Sequence, residues 1–219
     1  MTTRFSRGFR LSGVPSSFVI RASSFRAEGA FTILELLVVI TIIIVLAGLI
    51  LATVGYVQKK GARSRAEAEI AAMSAALESY KADNGIYPTD ATTNLLKANS
   101  NGDPTQSVYA NASLYLYKEL SGDHDANRTV NASDDLSGNS VVPRTYVTFK
   151  PNQLSPADQS QTVQSIRDPF GNSYGYSTVK STNPVGTDGY NPTFDLWSTA
   201  GLTTNPPTSS TDAQWIKNW

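Results

Sequence analysis

The amino-acid sequence predicts an α+β chain: one long N-terminal helix, transmembrane in its first half, whose second half packs on a small antiparallel β-sheet. Three observations predict it. From Leu36 to Ala52 the only polar side chain is Thr41. From Arg63 to Asp83 an alanine- and glutamate-rich run carries Ile70, Met73, Leu77 and Tyr80 at intervals of three and four, the mark of a helix with one apolar face. Beyond Pro143, three runs alternate aromatic or β-branched residues with polar ones and are separated by turn residues, the mark of short strands.

Residues 1–30 come first. They are rich in arginine and serine and read as a removable leader with no fold of its own. Residues 31–54 are long enough to cross a hydrocarbon core of roughly 30 Å as a helix. Glu35 is the anomaly in that segment. An ionisable group inside a membrane helix costs roughly 2–3 kcal/mol on insertion scales, less near an end, and is retained where it has a partner. The next basic residue along the chain is Lys59, so the partner must come from outside the segment. A cut just before Phe31 would create an α-amino group four residues away, or one on a neighbouring copy. A secretory signal has a shorter apolar core and a small-residue cleavage motif beyond it, and Ala47, Gly48 and Ala52 make that motif poorly. A plain single-pass anchor asks only for hydrophobicity and predicts no acid at that depth.

The helical pattern continues past the apolar run, and residues 55–219 form the remaining domain. Asn84 and Gly85 supply a C-terminal stop, with Pro88 after them. A helix from Phe31 to Asn84 would be roughly 80 Å long at 1.5 Å per residue. Gly48 and Gly55 weaken it by up to about 1 kcal/mol each relative to alanine, which suits either a segment that unwinds on packing or a close helix contact. Residues 86–112 read as a connection, Leu114, Tyr117 and Leu120 as a short helix, and residues 121–140 as a polar loop. Within that loop Asp123, His124 and Asp125 are ligand-type residues, but no further ligand stands at a helpful spacing, and a solvated loop is the favoured reading. Strands are expected at 144–150, 174–179 and 193–198.

Composition narrows the function. There is no cysteine, hence no disulfide in an exported domain. Without residues 1–30 the chain has 13 basic and 17 acidic side chains, net −4, with no clustered basic face for nucleic acid. The leader arginines and Lys59, Lys60, Arg63 and Arg65 nearly balance across the apolar run, so charge alone does not orient it.

A basic leader, small residues, then Phe31, Thr32, Ile33, Leu34, Glu35 and an apolar helix resemble the class III signal of type IV pilins and of the pseudopilins of type II secretion. In that family a prepilin peptidase cuts before the phenylalanine and methylates its new amino group, and the glutamate five residues in guides subunits into a filament. The family usually has glycine before the cut, whereas here Ala30 holds that place and Gly29 precedes it; a cut after Ala30 keeps Glu35 fifth, a cut after Gly29 makes it sixth. Further likenesses follow in order. Asp168, Pro169, Phe170, Gly171, Asn172 is a tight-turn sequence similar to one in the major pseudopilin; Phe194 to Ser198 with Gly201 resembles that protein's aspartate, leucine, aromatic, serine strand end; and Asp212, Ile216, Asn218 and Trp219 resemble its closing residues. The resemblance covers about residues 29–88 and 168–219.

What the resemblance implies is a pilin-like fold and a structural rather than enzymatic role: a homo-oligomeric pseudopilus subunit of type II secretion, held in the inner membrane by a single pass with its C-terminal domain in the periplasm. Its partners would be the prepilin peptidase, other pseudopilins and inner-membrane secretion components. The alternatives are a type IV pilin for adhesion, motility or DNA uptake, and a membrane-anchored binding module or hydrolase. In the family the loop between the last two likenesses binds calcium through carboxylates and backbone carbonyls. Asp212 matches a ligand and Thr199 is the candidate carbonyl donor, although Leu202 to Ser210 lacks the acidic, glycine-rich run expected there, and Pro206 and Pro207 suit a loop stiffened without an ion. Gly171, Asn172, Ser173, Tyr174, Gly175 fits the hydrolase elbow pattern only formally, since a turn precedes it and a strand-like run follows. Asn111, Asn127 and Asn131 head glycosylation-type triplets that read as polar loop.

Overall fold

The computed structural model describes residues 31–219; the leader expected at residues 1–30, with Gly29 and Ala30, lies outside them. In chain order the elements are α1 (Ile33–Asn84), α2 (Ala91–Leu95), α3 (Ser107–Ser121), β1 (Leu154–Ser155), β2 (Ser165–Ile166), β3 (Gly175–Ser177), α4 (Val179–Thr182), β4 (Asp195–Ser198), α5 (Ser209–Asp212) and β5 (Ile216–Lys217). The predicted α+β class holds. The chain divides after Ile50 into two units.

In the first unit every residue from Phe31 to Ile50 is exposed. Thr32 starts α1 from the N-cap position: its Oγ1 accepts the Glu35 N–H at 3.1 Å and its carbonyl accepts the Leu36 N–H at 3.1 Å, satisfying donors that a helix start leaves open. A 20-residue apolar surface with no buried side chain needs lipid or other helices to cover it.

In the second unit α1 contributes Ala66, Ile70, Met73, Ala76 and Leu77 to the main core, with Tyr80 packed at its edge. The predicted stripe is therefore the buried face. Gly85, at φ 80°, ends the helix in a left-handed conformation, and its N–H donates to the Lys81 carbonyl, as the Asn84–Gly85 stop predicts. The cover over this stripe has two parts. One is α3, through Leu116, Tyr117 and Leu120; the other is the antiparallel sheet β3-β4-β5, through Tyr176, Leu196 and Ile216.

The sheet is buried on both faces because neighbouring strand residues point opposite ways. Leu196 joins the α1 core, whereas Trp197 joins a second cluster of Leu96, Ala98, Tyr109, Ala112 and Trp215. Gly175 lies opposite Trp197 in register, and a Cβ at that position would run into the Trp197 ring. Only glycine lets the indole lie across β3.

The structure corrects the expected outline in three places. The strand expected at 174–179 is confined to β3, because Val179 already opens α4. Residues 144–150 are not a strand: the Tyr146 and Val147 N–H groups both donate to the Leu120 carbonyl, at 2.8 and 3.1 Å, which ties this run to the end of α3 instead of to a strand edge. The connection expected at 86–112 contains α2 and the first turns of α3, which begins at Ser107. The loop expected at 121–140 begins at Gly122, after α3 ends, and holds one 3-10 turn at Ala132–Asp134.

Candidate functional site

Two places carry the residues singled out from sequence. The first is the start of α1. Phe31 is 83% exposed and Glu35 stands in the first helical turn, where the helix dipole favours a negative charge. Thr32 and Glu35 have the spacing of a capping box, but only half of the box forms. The Thr32 hydroxyl takes the Glu35 N–H, and among the described residues no ion pair or hydrogen bond reaches the Glu35 carboxylate. Local capping therefore does not account for this acid.

The second place gathers the three C-terminal segments that sequence linked to one family. Asp168 organises the tight turn. Its Oδ1 accepts the Phe170 N–H at 3.0 Å and the Asn172 N–H at 2.8 Å, and its Oδ2 accepts the Ser198 hydroxyl at 2.6 Å. Burial raises the Asp168 carboxyl above the usual carboxylate range, against the pull of these donors. Asn218 reads the backbone of β4 from the other side: its Oδ1 accepts the Leu196 N–H at 2.9 Å and its Nδ2 donates to the Phe194 carbonyl at 3.2 Å. Arg63 on α1 completes the arrangement by donating to the Gln214 carbonyl at 2.7 Å and the Trp215 carbonyl at 3.3 Å. Turn, strand end and C-terminal segment are thus one hydrogen-bonded module fastened to the helix.

Asp212 and Thr199, the candidate calcium ligands, lie in this module. Asp212 Oδ2 faces the Lys217 Nζ at 2.8 Å. The Thr199 carbonyl accepts the Leu202 N–H at 3.0 Å. Asp212 Oδ1 and Thr199 Oγ1 are buried without a hydrogen-bond partner, as are the indole N–H groups of Trp215 and Trp219. Calcium takes six to eight oxygens at 2.3–2.6 Å. Here one carboxylate, already faced by an ammonium, is the only acid between Thr199 and Trp219, and indole N–H groups cannot ligate a cation. The residues present do not fit calcium. Sequence reasoning missed Lys217, because nothing in its spacing marks it until β5 pairs with β4 and turns it toward Asp212.

The two disfavoured motifs are accounted for structurally. Asp123 is buried and accepts the Tyr117 hydroxyl at 2.6 Å and the Arg128 N–H at 2.7 Å. The His124 ring bonds through Nδ1 to the Asp134 carbonyl at 2.8 Å. Oxygens of Asp123, Asp125 and Asp134 come within 4.8 Å of one another, but Asp134 holds the Asn131 and Asp125 N–H groups, and the acids serve as loop organisers. Ser173 donates to Ser165 Oγ at 3.0 Å and leads into β3, not into the helix that an elbow requires.

Comparison with known proteins bears on the whole arrangement. The type II secretion system core protein G of Aeromonas hydrophila is 39% identical over 64 residues, 29% of this chain and 45% of that protein. The protein of the same name from Pectobacterium carotovorum is 40% identical over 67 residues, 31% of this chain and 42% of that protein. The one from Escherichia coli K12 is 44% identical over 62 residues, 28% of this chain and 43% of that protein. The chain thus spans less than half the length of these relatives. No family model matches it, and no solved structure matches it significantly. Helix, sheet and relatives agree on a pilin-like chain similar to the pseudopilins of type II secretion.

Proposed function

We propose that this chain is a structural subunit of a periplasmic pseudopilus that drives type II protein secretion. The observation that carries the proposal is the unpaired Glu35 carboxylate in the first turn of α1, whose apolar first part is exposed from Phe31 to Ile50. In this reading the prepilin peptidase cuts after Ala30 and methylates the amino group of Phe31. The processed chain waits in the inner membrane with its C-terminal domain in the periplasm, and other pseudopilins and inner-membrane secretion components draw it into a filament of like subunits. Each new Phe31 ammonium then meets Glu35 on an adjacent copy. At about 4 Å and an effective dielectric near 20 that attraction is on the order of 4 kcal/mol before the cost of desolvating both groups. The relatives, named as core proteins of type II secretion, support the same reading.

The test is Glu35→Ala in the native host. The variant should still be cut, because the peptidase acts at residues 29–31, yet filaments should no longer take it up and the proteins secreted into the medium should fall to the level of a deletion strain. Unchanged filament yield would overturn the charge-pair argument. Loss of surface fibres with normal secretion would turn the assignment to a type IV pilin.

A further inference from the structure

The C-terminal module closes on a cation of its own. Lys217 lies on β5, opposite Trp197 of β4, and its ammonium faces Asp212 Oδ2 at 2.8 Å. Both side chains are well shielded, 20% exposed for Lys217 and 24% for Asp212. The same ammonium lies 5.0 Å from the centroid of the Trp219 ring and 5.7 Å from that of Tyr190, within cation–π reach of both. Those two rings stack on each other at 4.6 Å with 11° between their planes. The ammonium is therefore held between one carboxylate and a stacked aromatic pair. Asp212 ends α5, and Tyr190 belongs to the stretch before β4 whose Tyr190 and Asn191 N–H groups are held by Asp195. One charge thus joins the 199–212 loop, the approach to β4 and the C-terminal strand.

A divalent ion would serve the same connecting purpose, but the donor set rules it out here. Asp212 Oδ1 is the one carboxylate oxygen left over where calcium needs six to eight ligands. A second cation on that carboxylate would also stand close to the Lys217 charge, in a shielded place where repulsion is weakly screened. Aromatic faces hold an ammonium and offer calcium no oxygen.

We infer that Lys217 is the built-in cation of the C-terminal module and that this chain folds without calcium. The geometry of the module stands by itself, whether or not the chain polymerises. The experiment is thermal melting of the purified full-length protein in detergent, with EDTA or with millimolar calcium chloride. Wild type should melt at the same temperature in both. Lys217→Met, which keeps the stem over the rings and removes the charge, should melt roughly 3–8 °C lower in both conditions, and Lys217→Arg should recover most of that loss. Asp212→Asn together with Lys217→Met should melt no lower than the worse of the two single variants. A wild-type melting point that falls in EDTA and returns with calcium would overturn the inference, as would a Lys217→Met protein as stable as wild type. A chain that is never cut or incorporated into filaments would leave these melts unaltered, so failure of the secretion assignment is separately visible.

Discussion

Asp168 shows how one buried acid can hold a turn and tax it at the same time. Its carboxylate takes two backbone N–H groups and the Ser198 hydroxyl, yet burial raises its proton affinity. A carboxyl whose folded-state pKa lies above the unfolded value of ~3.9 contributes its full stability below that value and loses it as pH rises through the folded-state pKa. Asp168→Asn keeps an acceptor for the backbone donors and an amide donor for the Ser198 oxygen while removing the charge. The variant should therefore gain on wild type as pH climbs from ~4 toward neutrality, read as converging or crossing melting-temperature profiles. Parallel profiles would show that Asp168 does not titrate differently in the two states. Glu35 is the contrasting case at the same scale, a carboxylate left open by its own helix cap and answered, on this account, only by another molecule.

Among the elements, α1 was the most legible and the run 144–150 the least. The Ile70, Met73, Leu77 stripe is buried as its spacing requires, because a long regular helix imposes its period on whatever packs against it. The run 144–150 alternates like a strand, but its Tyr146 and Val147 N–H groups go to the Leu120 carbonyl at the end of α3. The start of α3 was hidden because Ser107, Asn111 and Ser113 look like loop residues; Tyr109, Ala112 and Leu116 make it a helix by burial in two clusters, a tertiary effect that local composition does not carry. Gly175 was singled out only as part of a chance elbow pattern, and its role appears when β3 and β4 pair and Trp197 crosses it. Gly175→Ala should destabilise the domain by roughly 1–3 kcal/mol, measured by urea unfolding of the full-length protein in detergent. Wild-type stability would mean that the sheet can move aside for a methyl group.

At the scale of the whole molecule the chain has two unlike parts. The first unit is an exposed apolar helix segment that needs lipid or neighbouring helices. The second is a domain with its own core and a C-terminal module closed by Asp168, Asn218, Arg63 and Lys217. Sequence identified the first unit, and its odd carboxylate, without help from coordinates, since an acid in a long apolar run stands out on any scale. It placed Asp212 within the second unit but not its partner, because a cation five residues further on, in β5, is set against Asp212 only through strand pairing. The account as a whole depends on proteolysis supplying the charge that Glu35 lacks. Its most direct test is the intact mass of the protein extracted from native membranes. A chain beginning at Phe31 and carrying one extra methyl group is the predicted result; a chain that retains residues 1–30 would contradict it.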